Sequence, residues 1–169
     1  QSSSGAIIDG NATPHLRAKL ERIVAENQSS PFASYIESSE SLSANLESLW
    51  KTKSCPRCYL QGANLQGAYL SKASLYRANL WEVNLERANL EGAILVEADL
   101  HDANLQDANF ESAKLVGTNL EGSNLQRANF KQADLGGAFL KGANLSNANL
   151  RGANLEDADL SGVDLTGAD

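Results

Sequence analysis

The chain of 169 residues contains no methionine, two cysteines, three prolines and two histidines. Each shortage removes a class of chemistry or structure. With only Cys55 and Cys58, and with His15 and His101 far apart in the chain, the four ligands of a tetrahedral zinc site are not at hand. Fourteen Lys and Arg against 21 Asp and Glu leave a net charge of −7 and a pI near 4.8. That is the wrong sign for gripping phosphate backbones, so no direct nucleic-acid binding through a basic face is expected. Apolar runs are a few residues long, far from the about 20 residues that a membrane-spanning helix requires, and no membrane insertion is expected. A chain that starts at Gln1 and lacks methionine reads as one whose leader has been removed, which points to export. Cys55 and Cys58 are close enough to pair with each other, and such a pair survives best in an oxidising compartment.

What the chain has in excess is repetition. Leu, Ala and Asn supply 65 of the 169 positions. From Cys58 onward the pattern recurs every five residues without insertion or deletion. Of the 22 central positions from 60 to 165, 20 are Leu and the others are Phe110 and Phe130. Two residues before each centre, 18 of 23 sites are Ala, and the residue just before the centre is Asn or Asp in 17 of 23. Ten of the 13 glycines sit two residues after a centre. Apolar spacing of five spirals around a helix and exposes Leu on every side, so a helix is excluded. A flat strand alternates with period two, so the chain must turn in every unit to restore its phase. Four corners close a coil of 20 residues, and the units amount to about 5.5 coils stacked about 4.8 Å apart. The small residue and the Leu point inward, the Asn or Asp points outward, and residues 20 apart stack. Phe110 should therefore lie on Phe130, between Leu90 and Leu150.

Units such as Ala63-Asn64-Leu65, Ala103-Asn104-Leu105 and Ala143-Asn144-Leu145 resemble the pentapeptide-repeat family. The resemblance covers residues 55–169 and implies a mainly β fold, a right-handed four-sided parallel β-helix. The run Cys55-Pro56-Arg57-Cys58-Tyr59-Leu60 is similar to the start of exported members, including lumenal proteins of cyanobacteria and chloroplasts. That likeness implies a thylakoid lumen or a periplasm as the compartment.

Residues 1–12 read as a flexible tail and 13–54 as a helical N-terminal cap. Thr13-Pro14 is a helix start, and Leu16, Leu20, Ile23 and Val24 follow at helical spacing. Phe32, Tyr35 and Ile36 suit a short turn, and Leu42, Leu46, Leu49 and Trp50 mark a second helix over 41–51. Ala44-Asn45-Leu46 mimics a repeat unit, but its Leu is one residue out of phase. An open first coil exposes its Leu columns and unpaired backbone, so Trp50 and its neighbours are expected to cover the end near Leu60 to Leu75. At the other end Glu156, Asp157, Asp159, Asp164 and Asp169 gather with no basic residue after Arg151. Their repulsion opposes end-to-end docking of a second copy, so a monomer is expected.

The Cys-x-x-Cys motif admits a redox site, a metal half-site or a structural disulfide. With no α/β setting and no further ligands, a structural bracket joining cap to solenoid is the reading adopted. His101, stacked between Trp81 and Glu121, reads as a solvated surface residue, and Arg87, Asp107 and Arg127 share one corner column as a surface ionic ladder of little weight. No metal or cofactor is assigned. One face breaks the pattern: around Leu75, Leu95 and Leu115 stand Tyr76, Ile94, Val96 and Val116, an apolar stripe where Asn and other polar groups are the rule. A filled solenoid offers no cleft, which favours a non-enzymatic scaffold that presents this stripe to an unidentified protein partner. The chief alternative, implied by the resemblance, is a mimic of DNA that protects gyrase, since residues 58–169 carry 15 acidic and eight basic groups. Another is a periplasmic enzyme using Cys55 and Cys58, whose mark would be insulin reduction lost on replacing Cys55.

Overall fold

The computed structural model describes residues 39–169, with side chains from Leu42 onward. The tail, the helix start at Thr13 and the Phe32 to Ile36 turn lie outside the described residues. Helix α1 spans Ser39–Thr52. It holds the out-of-phase Ala44-Asn45-Leu46 triplet, so helical spacing, not the five-residue motif, decides the local structure there.

Beyond α1 the backbone pairs in parallel at a fixed offset of 20 residues, from Ser54↔Ser74 through Asn144↔Asp164. Each pairing is a single-residue bridge rather than a length of strand. The sequence reading of a β-ladder is refined in that respect, and the reason is geometric. Two of every five residues form the corner, which leaves three per side with only the middle one bridged, so no strand can lengthen.

Hydrogen bonding shows why a five-residue unit closes on itself. In a typical unit Leu65 N–H donates to Asn84 O in the next coil (2.7 Å), Gly67 N–H donates to Glu86 O (2.7 Å), and Ala68 N–H closes the corner on Leu65 O (3.0 Å). The residue before the centre donates to the coil beneath, as Asn84 N–H does to Ala63 O at 2.9 Å. One amide per unit, on the residue just after the centre, has no backbone acceptor in this scheme. The outer Asn or Asp supplies one. Asn84 Oδ1 accepts from Glu86 N–H at 3.1 Å and Asn149 Oδ1 from Arg151 N–H at 3.1 Å. Every Asn or Asp at this position from Asn64 to Asp164 makes the same bond. The side chain is thus selected as a local acceptor for an otherwise orphaned donor.

Corners have their own requirement. All residues two after a centre, from Arg57 to Gly167, have positive φ, between +53° and +72°. A positive φ at only the second central residue is the pattern of a type II turn, which favours Gly. Non-Gly residues such as Glu82 (φ 53°) and Asp107 (φ 58°) accept the same conformation.

The interior is continuous. Leu60 to Leu145 in the centres and Ala63 to Ala148 beside them are buried in one cluster. Phe110 and Phe130 stack with centroids 4.9 Å apart and planes 3° from parallel, as the 20-residue register requires. Leu42, Leu46 and Leu49 of α1 belong to the same buried cluster, with Trp50 packed against it. The helix also meets the backbone edge of the first coil. Carbonyls of Ser54, Tyr59 and Tyr69 have no coil beneath to donate to them. Ser48 and Thr52 hydroxyls donate to Ser54 O at 3.1 Å each, Asn45 Nδ2 to Tyr59 O at 3.0 Å, and Lys53 Nζ to Tyr69 O at 2.5 Å. Burial pushes the Lys53 ammonium's pKa below its ordinary value.

Candidate functional site

The boundary between helix and coil differs from the sequence reading. Lys53 N–H closes α1 on Leu49 O (3.0 Å) with φ 54°, while Lys53 O accepts from Ser74 N–H (2.8 Å) as an ordinary member of the first coil. Lys53-Ser54-Cys55-Pro56-Arg57 is therefore a repeat unit with Cys55 at its centre, one unit earlier than the pattern suggested. The signal was hidden because Lys stands where a small residue is usual and Cys where Leu is. Cys55 and Cys58 form a disulfide, with Cα atoms 5.5 Å apart. Since both are buried members of the first coil, the bond staples a corner within the solenoid and does not join helix to solenoid as expected.

The register gathers Tyr76, Ile94, Val96 and Val116 on the face of Leu75, Leu95 and Leu115. Arg77 N–H donates to Val96 O at 3.0 Å and Glu97 N–H to Val116 O at 2.9 Å, which stacks Tyr76, Val96 and Val116 in one outer column. Ile94 is 36% and Val116 40% exposed, whereas Tyr76 and Val96 are half-buried. The Arg77 guanidinium lies over the Tyr76 ring, 5.1 Å from its centroid. On this face Ser74, Ile94 and Lys114 stand where Asn is usual, and the amides of Tyr76, Val96 and Val116 have no acceptor among the described residues. Sequence reasoning saw the apolar side chains and missed this row of uncapped donors, although the missing Asn was its signal.

The pattern described as pentapeptide repeats matches in eight copies, over residues 55–92, 73–111, 84–122, 103–142 and 140–169. The chain belongs to the pentapeptide-repeat family. It is similar to the pentapeptide repeat protein Rfr23 from the cyanobacterium Cyanothece 51142, at 32% identity over 75% of this chain and 97% of that one, with a TM-score of 0.51. It is also similar to a pentapeptide repeat protein of the Arabidopsis thaliana thylakoid lumen, at 29% identity over 54% of this chain and 63% of that one, with a TM-score of 0.52. No curated protein matches the chain. Solved pentapeptide-repeat proteins fold as right-handed β-helices, which supplies the handedness that the 20-residue offset leaves open.

Several other outward groups of this pentapeptide-repeat rod are occupied with one another. His101 is less solvated than expected. Its ring stacks on Trp81 at 4.7 Å and Nδ1 lies 2.6 Å from Asp99 Oδ1, leaving the side chain 28% exposed. Trp81 Nε1 is buried without an acceptor among the described residues. Arg127 grips Asp107 through Nε and Nη2 at 2.7 and 2.9 Å and, with help from Gln106, holds that carboxyl below its usual range. Arg87 leans instead toward Glu86 at 3.5 Å. Pairs such as Arg77–Glu97 and Lys131–Glu111 intersperse the two signs of charge along the coil. Among the described residues no group of three or more His, Cys, Asp or Glu gathers as a metal ion would require.

Proposed function

We propose that this pentapeptide-repeat chain is a rigid, non-enzymatic scaffold whose Leu75 face, with Tyr76, Ile94, Val96 and Val116, engages a protein partner. The observation that carries the reading is the coincidence of two departures on one face. Apolar side chains replace polar ones, and three amides stacked in one column, Tyr76, Val96 and Val116, lack the acceptor that Asn or Asp supplies in most units. The other uncapped amides, of Gln61, Ser71 and Lys141, do not stack in an unbroken run. Preorganisation is the mechanism: ladder bonds hold the outward groups at fixed spacing, so little side-chain or backbone ordering opposes binding.

The rod counts 23 units from Lys53, four to a coil, or about 5.75 coils. Helix α1 acts as its N-terminal cap, because it covers the first Leu column ends and takes up the edge carbonyls. An oxidising, exported compartment fits the Cys55–Cys58 bond, and the likeness to a thylakoid-lumen protein supports a lumen. The DNA-mimic reading ranks second, since interspersed Arg and Lys neutralise carboxylates along the same coils. Replacing Val96 and Val116 by Lys should abolish partner capture from the native compartment while leaving the melting temperature nearly unchanged. Capture that is equal for both proteins sinks the assignment of this face.

A further inference from the structure

We propose that the Leu75 face pairs, side by side and antiparallel, with the same face of a second copy of this chain. This pairing rests on the reading of that face as a partner surface and names its occupant.

The outer column after the Leu centres runs Pro56, Tyr76, Val96, Val116, Gly136, Glu156. A two-fold axis crossing the face at right angles to the rod keeps each column opposite itself and reverses its order. Set midway between Val96 and Val116, it lays those two residues on each other's counterparts and puts Tyr76 of each copy over Gly136 of the other. Gly136-Gly137 is the one corner of the chain in which both residues lack a side chain. A Cβ on Gly137 would meet nothing within 4 Å, whereas one on Gly136 would meet Asp134 Oδ1 at 3.3 Å and Asn154 Nδ2 at 3.5 Å, so this corner is a shallow notch open on its Gly137 side. A large ring thus faces a corner without side chains at both ends of the Val96–Val116 centre, with Ile94 of each copy set against the Lys114 stem of the other.

The flanking corner column runs Arg57, Arg77, Glu97, Gly117, Gly137, Asp157. The same axis sets Arg57 of each copy against Asp157 of the other. Neither residue has a charged partner in its own chain among the described residues. More broadly, residues 51–81 hold five basic groups and no acidic one, whereas residues 152–169 hold five acidic groups and no basic one. An antiparallel pair matches these ends twice, and a parallel pair would set like on like. The acidic ends remain far apart, so the repulsion that opposes end-to-end docking does not oppose this arrangement.

Six levels of coil at about 4.8 Å each, across a face roughly 20 Å wide, bury at most about 600 Å² per copy, less than the about 800 Å² that a standard stable interface uses. The dimer should therefore be weak, reversible and sensitive to salt.

Sedimentation equilibrium of the full chain tests this. A monomer–dimer equilibrium that weakens severalfold in high salt is expected. Arg57→Asp and Asp157→Arg should each weaken association about tenfold. An equimolar mixture of those two variants should restore it, because each then supplies the charges the other lacks at both contacts. Gly136→Trp, which fills the notch at a residue without positive φ, should abolish it, with circular dichroism confirming the fold. Wild-type protein that stays monomeric at every concentration, or a mixture no tighter than its components, overturns the pairing. If the chain is monomeric yet Val96→Lys/Val116→Lys loses a captured partner, the second copy is excluded while the partner face stands.

Discussion

At the scale of the residue, the repeat is a solution to one unsatisfied donor and one strained corner. Wherever Asn or Asp precedes the centre, the amide after the centre is bonded by that side chain two residues earlier, and a buried or half-buried donor left without an acceptor costs about 1–3 kcal/mol. Asn104→Ala should accordingly lower stability by about 1 kcal/mol, since it removes the acceptor for Gln106 N–H and breaks the side-chain ladder to Asn84. The opposite sign is expected on the irregular face. Lys114→Asn restores an acceptor for Val116 N–H and should raise stability by about 0.5–1 kcal/mol in a denaturant titration. A chain that keeps Lys where Asn is more stable has forgone stability at the surface assigned here to partners.

At the scale of the element, the junction at Lys53 matters most, because it has no linker. Lys53, whose N–H bonds Leu49 O at the end of the helix, is also the residue whose carbonyl begins the first coil, so no intervening segment separates the two elements. Side chains of α1, together with Lys53 just beyond it, satisfy carbonyls at an edge that would otherwise be a template for pairing. The disulfide holds the corner just above. It closes a very short loop, for which the chain-entropy model gives about 2 kcal/mol of stabilisation. Replacing both cysteines by Ser should cost up to about that amount. Hydrogen exchange should accelerate first at the amides of residues 55–63 and hardly at all beyond Leu100. A uniform acceleration along the rod would mean that the staple acts on global stability instead.

At the scale of the whole molecule, stability accumulates from coil to coil through contacts between residues 20 apart, as in other stacked repeats. Its two described ends differ. Leu49 is fully buried between helix and coil, whereas Leu165 is 45% exposed. Leu49→Ala should lower the unfolding free energy by about 2–5 kcal/mol and Leu165→Ala by less than half as much, measured by urea titration. Equal losses would show that α1 does not close the rod. The interior of the described coils is filled by Leu, Ala and Phe side chains, which leaves the outer columns, where the proposed partner face lies, as the outward groups.

Most of this architecture was legible in the five-residue period, because an inward Leu, an inward Ala and a corner are local steric demands that each unit states in full. The Phe110–Phe130 stack follows from the same arithmetic and is seen at 4.9 Å. The sequence by itself also determined that the apolar stripe shares one face, since residues 20 apart must stack. Tertiary structure alone decided that Lys53–Arg57 is a repeat unit and that Cys55 staples a coil rather than the helix. It also revealed that the amides of Tyr76, Val96 and Val116 go uncapped. The physical reason is the same in each case: a hydrogen bond to a residue 20 positions away can place a side chain that breaks the local pattern, and only the folded coil shows which bonds are made.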